Sequence, residues 1–466
     1  MAMALTMFEK IWRSHLVAEE DGLGLLYIDR HFLQDGPRRK FEVLEEAGVG
    51  VRRPDLTFAT VDHYVPTDGT PLEDVPKGRR RGIADIGADA ARHGIPHFGL
   101  GDPRQGIVHV VGPEQGISLP GTTIVCNDSH TPTHGGIGAF AFGIGSTECG
   151  HVLATQTLWM KKPRTMRVVI DGRAPEGVGA KDLALAVVGR LGAAGAAGHV
   201  VEFAGQAVRA LSVEGRLTLC NLATECGARG AMVAPDETTY AYLAGRPHAP
   251  AGPAWDRAVA RWRTLPGDPG AAFDREVAID AADLAPLVTW GISPDQVLPI
   301  SARVPDPEAA PDAGRRIAWR RALDYMDLAP GTPLDGIAID RVFIGSCTNG
   351  RIEDLRAAAH LVAGRRAVVP AWVVPGSAGV RAAAEAEGLD RVFRDAGFAW
   401  RQPGCSMCVA QNGDVVAPGE RSASTTNRNF VGRQGPGART HLVSPATAAA
   451  AAVTGRLTDH RRLGRA

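Results

Sequence analysis

The stretch from Asp340 to Asp390 most constrains what this chain can fold into. DRVFIGSC (340–347) has the pattern of a buried strand running into a loop, and IEDLRAAAHLVAG (352–364) has helical spacing. AWVVPGS (371–377) is a second strand and VRAAAEAEGLD (380–390) a second helix. Strands alternating with helices in this way specify a parallel sheet with crossover helices, an α/β fold. Ligands of such sheets bind at the loops leaving the carboxyl ends of the strands. Cys347 stands at one such end.

The texture extends upstream. MRVVIDG, from Met166, is a strand and turn, and KDLALAVVGRLG (181–192) is an amphipathic helix ending at a glycine. The first third is dense in Gly and His. There Val108–Val111 and Thr122–Val125 are expected to be short buried strands, and residues 135–150 (GGIGAFAFGIGSTECG) a glycine-rich loop system. That segment lacks the strand–GxGxxG–helix order of a phosphate cradle. Residues 245–275 carry loop punctuation, and residues 301–315 are expected to form an exposed linker. The chain thus divides into three α/β regions, 1–165, 166–290 and 291–466. At the start, Thr6 and Glu9 have capping-box spacing, and Phe8, Ile11, Trp12 and His15 share one face of a helix.

Charge excludes some partners. Lys plus Arg and Asp plus Glu both number 51, so neither nucleic acid nor an anionic membrane has an electrostatic footprint here. The basic run Lys77–Arg81 is expected to be a solvated loop. The longest apolar stretch, Ala446–Val453, is far short of the roughly 20 residues of a spanning helix. The N-terminus has no signal-peptide pattern, since Glu9, Lys10 and Arg13 interrupt any apolar region. A cytoplasmic location is the expectation.

Seven cysteines without a secretory pattern argue for thiols as ligands, nucleophiles or core residues rather than a disulfide framework. Cys405 and Cys408 form a C-x-x-C pair in PGCSMC, which with Cys347 can ligate one metal centre. A redox pair and a zinc site are the alternatives at that spacing. Three thiolates without a fourth would leave one iron of a [4Fe–4S] cluster open, able to act as a Lewis acid. Cys126, Cys149, Cys220 and Cys226 are taken as buried core thiols. The sequence also offers histidines and carboxylates in Gly-rich loops: Asp62-His63, His109, Asp128-Ser129-His130 and Glu225. A carboxylate next to an imidazole raises its pKa and suits it to proton transfer. Arg428 and Arg433, beside Asn427 and Asn429, suit bidentate binding of substrate carboxylates.

Together GSCTN, PGCSMC, DSHT, TNRNFVGRQG and VAPDETT resemble the aconitase superfamily. End to end the chain is similar to the large-subunit family of 3-isopropylmalate dehydratases. The resemblance implies three aconitase-type α/β domains packed around a [4Fe–4S] cluster, without the fourth, swivelling domain. It implies Cys347, Cys405 and Cys408 as cluster ligands, and Asp62, His63, His109, Asp128, His130 and Glu225 as catalytic residues. The expected pairs are Asp62–His63, Asp128–His109 and Glu225–His130. It implies Gln34, Ser129, Asn221, Arg428 and Arg433 as substrate-binding residues, and isomerisation of a hydroxy-dicarboxylate by dehydration and rehydration. The serine base and much of the pocket are expected from a separate small subunit carrying the swivel domain. Gln34-Asp35, Arg38, Arg39, Asn127, Gly150 and Gly350 depart from the usual pattern of these large subunits, so a related hydroxy acid is the alternative substrate. A cluster-free RNA-binding protein is a remoter one.

Overall fold

The computed structural model describes residues 4–463; the first three residues of the N-terminal stretch and the last three of the HRRLGRA tail lie outside the described residues. The chain forms two compact units. The first takes the chain up to Val65, Leu72–Arg173 and Ala194–Ala281; the second takes Pro66–Pro71, Ala174–Ala193 and the chain from Ala282 on.

The first unit holds two parallel sheets. One has five strands in the order His97–Phe98, Thr57–Thr60, Arg30–Leu33, Thr123–Cys126, Phe140–Gly143. The other has four, ordered Gly230–Val233, His199–Ala204, Arg164–Asp171, Arg275–Asp280. Their inner strands are largely apolar, as strands covered on both faces must be. Thr123–Cys126 (TIVC) is buried at every position. A small antiparallel sheet, Leu16–Glu20, Leu23–Tyr27 and Thr157–Lys161, completes the unit.

The N-terminal helix, Met7–His15, begins with the expected capping box: Thr6 accepts from the Glu9 amide and Glu9 accepts from the Thr6 amide. Met7, Phe8, Ile11 and Trp12 are its buried face, and Phe8 packs edge-on to Phe140 with ring centroids 5.0 Å apart. Burying a side chain of that size stabilises by about 2–3 kcal/mol.

The second unit holds a five-stranded parallel sheet ordered Ala399–Trp400, Ala371–Val373, Arg341–Ile344, Arg421–Ser424, Arg439–Leu442. Helices Ile352–Val362, Ala378–Ala386 and Pro445–Thr454 belong to this unit.

In both five-stranded sheets the strand order reverses next to the central strand. Such a reversal opens a crevice beyond the carboxyl ends of the two strands that flank it. In the first unit those strands lead into Gln34-Asp35 and Asn127-Asp128. In the second they lead into Cys347 and Asn427. The topology therefore fixes where chemistry can occur in each unit.

Four local expectations are corrected. Val108–Val111 is not a strand but the start of a helix, Val108–Glu114. The segment is buried on every side, so its apolar content carries no period that separates the two states. Within residues 135–150, Phe140–Gly143 is a strand and Ser146 opens a helix to Thr155. The glycines there serve close packing: a Cβ on Gly136 would lie 2.6 Å from the Leu217 amide nitrogen. Residues 245–275 contain a helix, Pro253–Trp262, with proline at a helix start, where its missing N–H is harmless. Lys77–Arg81 is the first turns of helix Lys77–His93 rather than a loop. Among the described residues no helix is long and apolar enough to cross a membrane.

Candidate active site

Three carboxylate–imidazole pairs form in the first unit. Asp62 Oδ1 lies 2.6 Å from His63 Nδ1, Asp128 Oδ1 3.0 Å from His109 Nε2, and Glu225 Oε1 2.7 Å from His130 Nε2. The pairs meet at Asp128. Its Oδ1 accepts from the His130 amide at 2.7 Å, and its Oδ2 is 3.7 Å from His63 Nε2. Segments that the chain keeps far apart are thus joined at a single carboxylate.

The charges follow from this geometry. Burial opposes a charged His63, but the Asp62 carboxylate more than offsets it and the ring is pushed up to about 10. His63 is therefore held as an acid at neutral pH. Burial would raise Asp128, yet His109 and His130 hold it well below the usual carboxylate range.

Further residues support these groups. Asp35 accepts backbone amides from Asp62 and His63 on Oδ1, at 2.9 and 3.0 Å, and from Tyr64 on Oδ2 at 2.7 Å. Burial, and then the neighbouring Asp62 charge, push Asp35 upward. Val108 N–H donates to Asp62 Oδ2 at 3.1 Å. His109 Nδ1 lies 3.0 Å from His134 Nε2, and His134 Nδ1 lies 2.8 Å from Ser118 Oγ. All contacts are satisfied when Ser118 donates to His134, His134 to His109, and His109 to Asp128, which fixes the tautomers. Gly112 makes room, since a Cβ there would lie 2.7 Å from both His134 Cε1 and Ser118 Oγ.

Sequence reasoning did not find His134 and Ser118. The signal was present: His134 stands four residues after His130 in the same segment.

The remaining predicted residues of this unit adjoin the network. Gln34 Nε2 is 3.4 Å from the Asn127 carbonyl, while its buried Oε1 has no hydrogen-bond partner among the described residues. Ser129 Oγ is 3.4 Å from His130 Nδ1, and Asn221 donates to Thr133 Oγ1 at 2.8 Å. Asp128, Ser129, Asn127, Glu148 and Arg229 border a cavity of about 480 Å³ within this unit. The unusual Arg38 and Arg39 are engaged elsewhere. Arg38 forks onto Asp89 at 2.8 and 2.7 Å, and Arg39 pairs with Glu46.

The thiols and arginines belong to the second unit. Its only cysteines, Cys347, Cys405 and Cys408, are 4–6% exposed, and none of the chain's seven forms a disulfide. Asn427 joins two of them, donating to Cys347 Sγ at 3.3 Å and accepting from Cys408 Sγ at 3.6 Å. Cys405 and Cys408 share one tight turn, with the Cys408 amide on the Cys405 carbonyl at 3.0 Å.

The backbone around these thiols is strained. Ser346, Ser406 and Ala410 have φ of 79°, 48° and 58°, a left-handed conformation that costs a side chain about 1 kcal/mol or more. Asp414 braces the turn, accepting from Ser406 Oγ at 2.6 Å and Asn412 Nδ2 at 2.8 Å, and from Thr67 Oγ1. Buried Lys181 donates to the carbonyls of Thr425 and Thr426, next to Asn427. Burial lowers its pKa to about 7.

Cys347 on a strand exit and Cys405 and Cys408 on the C-x-x-C turn are buried thiols, the donor type that a metal group taking three thiolates requires. Arg433 has its guanidinium 5.5 Å from the Phe430 ring centroid, and its buried Nε has no hydrogen-bond partner among the described residues. The other thiols behave as core. Burial raises Cys126 well above the usual thiol range and pushes Cys149 to about 12.

This is a mixed α/β protein with buried carboxylate–imidazole pairs in one unit and three buried thiols in the other. The model of the aconitase family (aconitate hydratase) matches residues 9–455, and the chain belongs to that family. Among solved structures, the holo-form of aconitase X from Thermococcus kodakaraensis is similar over 91% of this chain and 89% of that chain, at 12% identity and a TM-score of 0.45.

Proposed function

We propose that this chain is the large subunit of a 3-isopropylmalate dehydratase. In this reading it isomerises 2-isopropylmalate and 3-isopropylmalate through isopropylmaleate, in leucine biosynthesis. The observation that carries the reading is the set of three carboxylate–imidazole pairs converging on Asp128 in a chain of the aconitase family.

Cys347, Cys405 and Cys408 would hold a [4Fe–4S] cluster, which when bound supplies Lewis acidity to the substrate hydroxyl and one carboxylate. The protein's own groups do the rest. His63, cationic at neutral pH, holds a proton for the departing hydroxide. Asp128 stays anionic and keeps His109 and His130 oriented. Gln34 offers a free buried acceptor to a substrate hydroxyl, and Ser129 and Asn221 serve as further substrate-binding groups. Arg428 and Arg433 hold substrate carboxylates as bidentate forks. A small subunit supplies the serine base. The three domains 1–165, 166–290 and 291–466 remain our proposed division.

The test is an anaerobic assay. The chain is loaded with iron and sulfide, its cluster confirmed spectroscopically, and the cognate small subunit added. Isopropylmaleate is then followed by its absorbance. Turnover is expected with the small subunit and not without it. A confirmed cluster with no turnover on isopropylmalate would overturn the substrate assignment. Activity of this chain alone would overturn the two-subunit arrangement.

A further inference from the structure

Lys40 is 2% exposed, and among the described residues its ammonium makes one hydrogen bond, to the Gln34 carbonyl at 2.8 Å. Its neighbour His31 is fully buried, and neither ring nitrogen has a partner among the described residues. Burial lowers Lys40, while Cys149, Cys126, Asp35 and Asp89 pull it back. Asp89 is already engaged by Arg38. A buried cation with a single neutral acceptor is an unfavourable placement, and an apolar side chain of the same length would fit the core better. Packing does not explain its presence.

Its one bond does have a consequence. The Gln34 carbonyl belongs to the peptide that leads into Asp35. Asp35 in turn receives the amides of Asp62, His63 and Tyr64 at 2.7–3.0 Å. That cradle sets the backbone from which the Asp62–His63 pair projects.

We propose that Lys40 is a positioning residue of the acid–base site, pinning the Gln34–Asp35 peptide so that the Asp35 carboxylate holds the Asp62–His63 segment in register. The catalytic consequence rests on the hydro-lyase reading above; the structural linkage does not.

The test compares the full-length wild type with Lys40→Met, and with Lys40→Gln in case the Met variant does not fold. Three quantities are read: melting temperature, hydrogen exchange of the 62–64 amides, and kcat and KM of the cluster-loaded enzyme with its small subunit. Lys40→Met is expected to melt at or above the wild-type temperature, because an unfavourable charge is gone. Its 62–64 amides are expected to exchange about tenfold faster, with the strand Thr57–Thr60 unchanged. We expect kcat to fall about tenfold or more and KM to hold, as a small misplacement of reacting groups predicts.

Unchanged exchange at 62–64 would overturn the proposal. So would a lowered melting temperature with faster exchange throughout, which would make Lys40 a structural residue only. A wild type that shows no turnover would instead count against the hydro-lyase reading, and exchange would still decide the role of Lys40.

Discussion

Gly135→Ala offers the sharpest test of how this site is assembled. Gly135 lies in the turn Thr131–Ile137, between the strand Gly230–Val233 and the histidines His130 and His134. A Cβ at this position would sit 1.7 Å from the Ala231 carbonyl oxygen, where real contacts stay above 3.0 Å. The turn and the strand must therefore part by at least about 1.3 Å (3.0 less 1.7). Both partners are backbone, so no side chain can swing away. Overpacking usually destabilises by about 1–3 kcal/mol, and a backbone-on-backbone clash belongs at or above the upper end, about 3–5 kcal/mol. At about 2 °C per kcal/mol for a unit of this size, the melting temperature should fall by about 6–10 °C.

Gly78→Ala is the control. Gly78 lies in the first turn of helix Lys77–His93, and the space that an added methyl would enter is empty to 4 Å. The added methyl should stabilise by about 0.5 kcal/mol. The assay is calorimetry of both variants beside the wild type. Gly135→Ala melting within about 2 °C of wild type, no more than about 1 kcal/mol, would refute the claim that contact between these backbones holds the histidine turn in place.

Glu225→Gln should lower kcat by about 100-fold while leaving the melting temperature nearly unchanged, because His130 loses its counter-charge; a loss under about threefold counts against a catalytic role for that pair. His63 has a folded pKa of about 10 against an ordinary value of 6.5, so its stabilising contribution is full below pH 6.5 and fades as pH rises towards 10. Asp62→Asn should therefore destabilise most below about pH 6.5, by a few kcal/mol, and progressively less up to about pH 10. Equal destabilisation at about pH 6 and about pH 10 would show that the Asp62 charge is not the cause. Cys347→Ser should fail to retain the full iron and sulfide content after anaerobic loading, while Cys220→Ala should retain it. Iron and sulfide analysis decides, and full loading of Cys347→Ser would remove Cys347 from the ligand set.

Much of this protein was legible in its sequence because the relevant signals are local. The N-terminal helix carries its own cap and apolar face, and its capping box forms as the spacing of Thr6 and Glu9 requires. The strand–helix alternation after Asp340 yields the parallel sheet, because period and length within each segment select its state. Asp62–His63 was legible as neighbours, but the pairs Asp128–His109 and Glu225–His130 were reachable only through family resemblance, since Glu225 and His130 lie 95 residues apart.

The tertiary structure alone decided the rest. The helical state of Val108–Val111 could not be read from the sequence, because burial on all sides removes the periodicity that distinguishes helix from strand. The cradle made by Asp35, the relay from Ser118 through His134 to His109, and the Asn427 link between two thiols join residues that the chain keeps far apart. Lys40 looks in the sequence like one more surface cation in PRRK, and only packing reveals it as buried. A sequence specifies which groups are available and the local shape of each segment. Which groups meet, and which lose their water, depends on how sheets reverse and pack, and those two facts set every pKa and hydrogen bond on which the chemistry depends.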